Sequence, residues 1–352
     1  MLITVKIGTK IVLNEDVLFD IVSEICELIS SGEKFIIVSS GAVGLGKKKL
    51  NFGYHATLSE KQALSSVGQI ELMKLYQKLF SKFGIEVAQI LVTYNDINSR
   101  KSFLHLRNTI NEILKMGVVP IINENDAVAV DEIKFGNNDI LSALVSTAVA
   151  TDKLIILTDV DGVYKNFGTP NQEIINVVSN VKEVYKFMKG KKFDLSTGGM
   201  KTKVQAGFIC MKSNIECIVA NGFRKNILKD VLYKGVGTRF VPESKIRSFK
   251  DRMLMVSKKK GYIIIDKGAC QAIKDKKSLL PIGIVDVKGK FSVGDVVFVS
   301  DEDGNNVAIG ITNYSSSEIS KIKGKKSYQI GEILGIKDFD EEVIHVDNMI
   351  LI

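Results

Sequence analysis

An open, mostly parallel α/β sheet sandwiched by helices, followed by a small mainly-β C-terminal domain, is the fold this sequence predicts. Short, wholly apolar runs alternate with longer amphipathic ones from residue 1 to about 245. Strand–helix alternation of that kind gives parallel sheets covered on both faces, and such strands read as continuous apolar runs. After Pro242 the texture changes to short β-like runs separated by Gly, Asp and Asn turns. The predicted domains are residues 1–245 and 255–352.

The predicted strands of the first domain are Ile3–Ile7, Phe35–Val38, Val87–Val92, Val118–Ile122, Leu154–Leu157 and Cys217–Ala220. Each is too short for a buried helix and is bounded by turn residues. Helical patterns fill the intervals at Asp16–Ser30, Ser59–Phe83, Ser99–Met116, Asp139–Ala150 and Met200–Met211. Ser59 and Gln62, three apart, give the second of these a starting cap. Asp131–Lys134 is too short for a helix and reads as a hairpin arm. In the second domain, strands are predicted at Gly261–Ile265, Val285–Val287, Val296–Val299, Val307–Ile311 and Val343–Val346, with a short helix at Asp266–Ile273. A barrel or sandwich would close these strands.

Composition excludes several classes. The apolar stretches are far shorter than a membrane span, and the strand-like N-terminus lacks the features of a signal peptide. Cys26, Cys210, Cys217 and Cys270 form no C-x-x-C pair and lie in apolar contexts. They read as reduced core thiols of a cytoplasmic protein. Residues 1–245 carry 31 basic and 25 acidic side chains, and residues 246–352 carry 17 and 15. Most of the surplus therefore lies where an anionic substrate such as a nucleotide would bind, and a nucleic-acid-binding tail would reverse the split. The three histidines, His55, His105 and His345, stand at no metal-ligand spacing.

The chemistry lies at predicted strand ends. Val118–Ile122 runs into Asn123-Glu-Asn-Asp126, and Gly136-Asn-Asn-Asp139 follows before a helix. Amides and carboxylates end strands and make turns, so turn chemistry is one reading. Ligands of open α/β sheets bind outside the carboxyl ends of the strands, so a small polar molecule is the other. Gly41 to Lys47 matches the start of a P-loop, but Lys48 replaces the magnesium-binding hydroxyl residue. The turn at Ser40 and Gly41 can still offer N–H groups to an anion; Lys47–Lys49 reads as a solvated run. Lys6 sits beside Gly8 at a strand end, either as a surface lysine or as a phosphate ligand. Thr158 and Asp159 end the Leu154–Leu157 run. In Thr197-Gly198-Gly199-Met200-Lys201-Thr202-Lys203, exposed N–H groups and positive charge suit a polyphosphate. Phosphoryl transfer needs positioned cations rather than a covalent nucleophile, and Lys6, Lys203 and Asp139 match, the carboxylate orienting the two ammonium groups.

These motifs, in this order, closely resemble the amino acid kinase family, and within it the glutamate 5-kinase (γ-glutamyl kinase) type. The C-terminal domain resembles the PUA domain that many bacterial members of that type carry. The resemblance implies transfer of the ATP γ-phosphoryl to the side-chain carboxylate of L-glutamate, the first step of proline synthesis. It implies Lys6, Lys203 and Asp139 as catalytic, Ser40, Gly41, Asn123, Asp126 and Asn138 as glutamate-binding, and Lys6, Thr158, Asp159 and residues Thr197 to Lys203 as ATP-binding. Mg²⁺ would bridge the ATP phosphates without a direct protein ligand, proline would inhibit, and the protein would be a homo-oligomer. Asn137 departs from the family's usual Gly-Asp-Asn-Asp, which puts a contact to the glutamate amine there in question. The rivals are family members acting on acetylglutamate, aspartate, carbamate or a nucleoside monophosphate, and an RNA-binding protein. Lys258–Lys260 and Lys321–Lys326 read as solvated surface rather than as an RNA-binding face.

Overall fold

The computed structural model describes residues 1–93, 96–97, 100–128, 138–166, 169–180, 199–242, 254, 257, 259–336 and 338–352, with backbone alone at 100 and 101. The chain divides into two compact units, Met1–Ile246 and Arg247–Ile352. The division falls within 243–253, which lies outside the described residues, as do the predicted hairpin arm Asp131–Lys134 and Asn137.

An eight-stranded sheet forms the frame of the first unit. Its strands are β1 (Leu2–Ile7), β2 (Lys34–Ser39), β3 (Val87–Val92), β4 (Val119–Glu124), β5 (Lys153–Thr158), β8 (Val177–Val178), β9 (Glu216–Asn221) and β10 (Thr238–Phe240). They lie in the order β3-β4-β2-β1-β5-β9-β10-β8. The first six in that order are parallel; β10 runs antiparallel to β9 and parallel to β8. A small hairpin pairs β6 (Tyr164–Lys165) with β7 (Glu173–Ile174). The chain leaves β1 toward β2 on one side and reaches β5 on the other. The central strand is thus a topological switch point, where open sheets bind ligands.

Side-chain alternation along the strands assigns the two faces. Ile3, Val5 and Ile7 of β1 point into one core cluster with Phe35, Ile37, Val119 and Ile121. That face is covered by α2 (Glu15–Ser30), α4 (Leu58–Ser81) and α8 (Ile227–Tyr233), which contribute Leu18, Tyr76 and Leu228. The opposite core holds Leu154, Ile156, Cys217 and Val219, covered by Ala143 of α6 (Asn138–Val149) and Val204 and Cys210 of α7 (Met200–Lys212). Lys6 and Thr4 are out of phase with Val5, so their side chains face α6 and α7.

Two elements differ from expectation near the polar clusters. The strand predicted to stop at Ile122 runs on through Glu124, because Asn123 and Glu124 pair with Leu91 and Val92 of β3. Asn123 is therefore held by a sheet ladder rather than a turn. The Ser59 cap is replaced by Thr57, which accepts from the Glu60 N–H while Glu60 accepts from Thr57 N–H at 2.7 Å, a full capping box.

Between β2 and α4 lies the short helix α3 (Ala42–Lys49), rich in glycine and lysine and unforeseen in the sequence. Tertiary packing makes it. A Cβ on Gly68 would stand 1.7 Å from Ala42 O, and one on Gly46 would stand 2.0 Å from Leu64 O, so α3 and α4 touch backbone to backbone. Gly41 caps α3 with φ +108°, a left-handed conformation natural to glycine. The remaining helices of this unit are α1 (Thr9–Val12) and α5 (Arg100–Lys115).

Among the described residues, the strands of the second unit form one five-stranded sheet, in the order β12-β11-β13-β14-β15. Its strands are β11 (Gly261–Ile265), β12 (Ile284–Gly289), β13 (Val296–Asp301), β14 (Asn306–Ile311) and β15 (Met349–Leu351). α9 (Lys267–Lys274), α10 (Ser316–Ile322) and α11 (Ile330–Leu334) complete it, and Ile319, Ile322 and Ile330 join its core. The strand predicted at Val343–Val346 is not a ladder strand. Val343 and Ile344 are buried in that core and make one isolated bridge, Leu279 to Ile344, so their apolar character reflects packing. The edge strand forms farther on, at β15.

Gly68→Ala should lower unfolding stability by about 3 kcal/mol, because its methyl group would collide with backbone that cannot rotate away. A shift in the urea midpoint at unchanged slope measures this.

Candidate functional site

The carboxyl edge of the sheet collects the polar residues singled out in the sequence. At its centre Asp139, in the first turn of α6, is fully buried, and Lys6 and Lys203 are each 5% exposed. Lys6 Nζ lies 2.6 Å from Asp139 Oδ1. Lys203 Nζ lies 3.1 Å from Oδ2. Each ammonium thus has its own carboxylate oxygen. Thr202 Oγ1 stands 2.9 Å from Asp139 Oδ2 and 2.7 Å from Gly199 O, so its one proton can serve either. Ser142 Oγ donates to the Asp139 carbonyl at 2.6 Å, tying the first turn of the helix.

The charge count of the triad is +1, and burial makes that matter. Burial presses the Asp139 carboxyl upward, but the two ammonium groups outweigh it and hold the carboxyl below the usual range. Burial pushes the Lys6 ammonium down; Asp139 opposes that, and the like charge of Lys203 reinforces it. Lys6 is thus a cation whose desolvation is incompletely compensated, a natural place for an anionic ligand.

Asn138, next to Asp139, serves the other face. Its Nδ2 lies 3.0 Å from Ser39 O, 2.9 Å from Ser40 Oγ and 3.0 Å from Asn123 Oδ1. Asn123 Oδ1 also accepts from Glu124 N–H at 2.9 Å, and Asn123 Nδ2 donates to Gln69 Oε1 at 2.9 Å. Asp126 Oδ2 accepts from Ser65 Oγ at 3.2 Å. Ser39 Oγ shares a 2.9 Å hydrogen bond with Tyr76 OH, which is wholly buried on α4.

The structure therefore brings Lys6, Lys203 and Asp139 into contact, and joins Ser40, Asn123 and Asn138 in one network that Gly41 follows. Asp126 is tied instead to α4. Thr158 and Asp159 end β5, where Thr158 Oγ1 donates to Asp159 Oδ1 at 3.2 Å. Gly199 caps α7, Met200 and the exposed Lys201 open it, and Thr202 turns toward Asp139. Thr197 and Gly198 lie outside the described residues.

Sequence reasoning missed four participants. Ser65 and Gln69 are one helical turn apart on α4, and both sit on its buried face with Leu64, Gly68 and Leu72. Polar residues at core positions were the available signal. Lys10 forms an exposed ion pair with Asp159 at 2.5 Å. Tyr76, an aromatic residue in an apolar stripe, carried no sign of its hydroxyl's partner. Among the described residues, no three His, Cys, Asp or Glu side chains cluster as metal ligands, and both Asp139 oxygens are engaged by ammonium groups.

Comparison with known proteins identifies the family. The sequence model of the amino acid kinase family matches residues 1–221, and that of the PUA domain matches residues 261–334. A glutamate 5-kinase of Caldanaerobacter subterraneus subsp. tengcongensis is 42% identical over all of this chain and 98% of its own. One from Thermoanaerobacter sp. strain X514 is 43% identical over the same shares. Among solved structures, the carbamate kinase of Giardia lamblia bound to AMP-PNP superposes with a TM-score of 0.54, covering 69% of this chain and 98% of its own. At 15% identity that likeness speaks for the fold alone. With the family model spanning most of the chain and full-length relatives above 40% identity, the chain belongs to the amino acid kinase family, among its members of glutamate 5-kinase type that carry a PUA domain.

Proposed function

We propose that the first unit transfers the γ-phosphoryl group of ATP to the side-chain carboxylate of L-glutamate, giving γ-glutamyl phosphate and ADP, as the entry to proline synthesis. The observation that carries this reading is the buried Lys6–Asp139–Lys203 triad abutting the Asn138 network. A substrate carboxylate oxygen attacks the γ-phosphorus, the bond from that phosphorus to the bridging oxygen breaks, and ADP leaves with the electron pair. Charge spreads over the equatorial oxygens in such a transition state, and prepositioned cations offset it. Lys6 and Lys203 are those cations, and Asp139 positions them without touching the transferred group.

Ser40, Gly41, Asn123, Asp126 and Asn138 hold the amino acid. Thr158, Asp159 and the segment from Thr197 to Lys203 hold ATP, with Lys6 at its terminal phosphate. Both Asp139 oxygens are engaged by Lys6 and Lys203, so a Mg²⁺ ion would arrive with the nucleotide and would supply further charge neutralisation at the transferred group. Feedback by proline at the amino-acid site and assembly as a homo-oligomer belong to the same proposal, and the likeness to glutamate 5-kinases supports them. The full-length relatives of glutamate 5-kinase name support glutamate over the other acceptors of the family.

Hydroxylamine trapping of the acyl phosphate tests the proposal, with L-glutamate, aspartate and N-acetylglutamate compared side by side. Only L-glutamate should give hydroxamate with ATP, and its failure to do so would overturn the reading; added proline should suppress the signal. Asp139→Asn should cost at least about 10³-fold in kcat and about 3 kcal/mol of stability, since it strands two buried cations. Lys203→Met leaves a neutral Lys6–Asp139 pair, so it should remove turnover while thermal unfolding changes little. The pH profile follows from Lys6. Because catalysis needs its protonated form and its pKa is lowered, kcat/KM should fall on the alkaline side below the ordinary lysine value of 10.5. Asp139, held below the carboxylate range, contributes stability above the ordinary value of 3.8 that is lost only as pH falls through its lower folded value.

A further inference from the structure

The amide network ends in two unused groups. Among the described residues, Gln69 Nε2 and Asn138 Oδ1 are buried without a hydrogen-bond partner. Buried polar atoms are nearly always satisfied, so a pair of orphans at one site calls for a ligand. Backbone groups fix which atoms these are. Glu124 N–H can only donate, so the Asn123 atom 2.9 Å away is its oxygen. Asn123 then turns its nitrogen to Gln69, which must answer with its oxygen, leaving the Gln69 amide nitrogen free. At the other end Ser39 O can only accept, so Asn138 faces it with nitrogen and keeps its oxygen free. Flipping any one amide would set two donors or two acceptors against each other.

From this arrangement, and resting on the function proposed above, we infer that Gln69 is a specificity-determining residue whose amide N–H binds the α-carboxylate of the amino acid while Asn138 Oδ1 receives its ammonium group. One free donor and one free acceptor at the ends of a single relay match a free α-amino acid, which carries one anionic and one cationic group on the same carbon. An N-acylated substrate would leave the Asn138 oxygen facing an amide in place of a charge. Gln69 is only 9% exposed, so its N–H meets a carboxylate without water competing for it. α4 holds it there: the helix is seated by the Gly46 and Gly68 contacts and carries Ser65 to Asp126 one turn earlier.

Gln69→Glu separates this role from a structural one. It keeps the oxygen that Asn123 needs and replaces only the free NH₂, at the same shape. A residue that merely braces Asn123 would show the cost of the buried charge in stability and not selectively in KM for L-glutamate. The inference expects KM for L-glutamate to rise about 10- to 100-fold, as for loss of a charge-assisted hydrogen bond, with KM for ATP and kcat held within about twofold. The KM defect should relax as pH is lowered, because a protonated carboxyl restores a donor. Gln69→Met, of similar volume, loses the acceptor for Asn123 as well as the free donor, so it should raise KM for L-glutamate at every pH without the relief at low pH expected of Gln69→Glu. A folded variant with unchanged KM for L-glutamate, or one whose defect falls on ATP, would overturn the inference. Failure of the functional reading would show separately, as absence of glutamate-dependent hydroxamate from the unsubstituted enzyme.

Discussion

Two ammonium groups and one carboxylate share a volume from which water is excluded, and the charge of that volume constrains everything placed around it. A carboxylate as deeply buried as Asp139 would be untenable alone, and two lysines as buried as Lys6 and Lys203 would repel each other. Together they leave a single positive charge in a region of low dielectric. The surplus makes the free site receptive to an anion. It also ties the three residues to one another: β1, α6 and α7 are joined by charges that none could bury separately.

The strand period converts this constraint into a division of labour. Lys6 faces α6 and α7 because it is out of phase with Val5, whereas Asn123 and Ser39 are in phase with Ile121 and Ile37 and face α4. The two faces meet at the start of α6, where Asn138 reaches back to Ser39 and Asn123 while Asp139 reaches the lysines. Two consecutive residues thus join the amide network to the cationic centre, with no linker between them to flex.

Much of this was legible in the sequence, and what was not had identifiable causes. Apolar runs located β1, β2, β4, β5 and β9 because burial on both faces leaves no room for polar residues, and strand ends then marked Lys6, Ser40, Asn123 and Thr158. The expected strand stops at Ile122 because asparagine suits turns; pairing of Asn123 with β3 overrides that preference. α3 escaped notice because Gly44, Gly46 and three lysines are weak evidence for a helix, and its existence depends on Leu64 and Gly68, some twenty residues away. Ser65 and Gln69 escaped for a related reason. Helical periodicity shows which face is buried, but not that a polar residue on that face answers a distant asparagine.

The contact of α3 with α4 bears on how such a site could diverge. With backbone against backbone at Gly46 and Gly68, the two helices have no side chains to trim or enlarge at those points, and a shift of one must carry the other. A lineage exploring new acceptors therefore could not widen the pocket by sliding α4 outward in small steps. The accessible route is exchange of side chains on a fixed scaffold, at positions such as 65 and 69, which changes the hydrogen bonds offered to Asp126 and Asn123 without moving the helix.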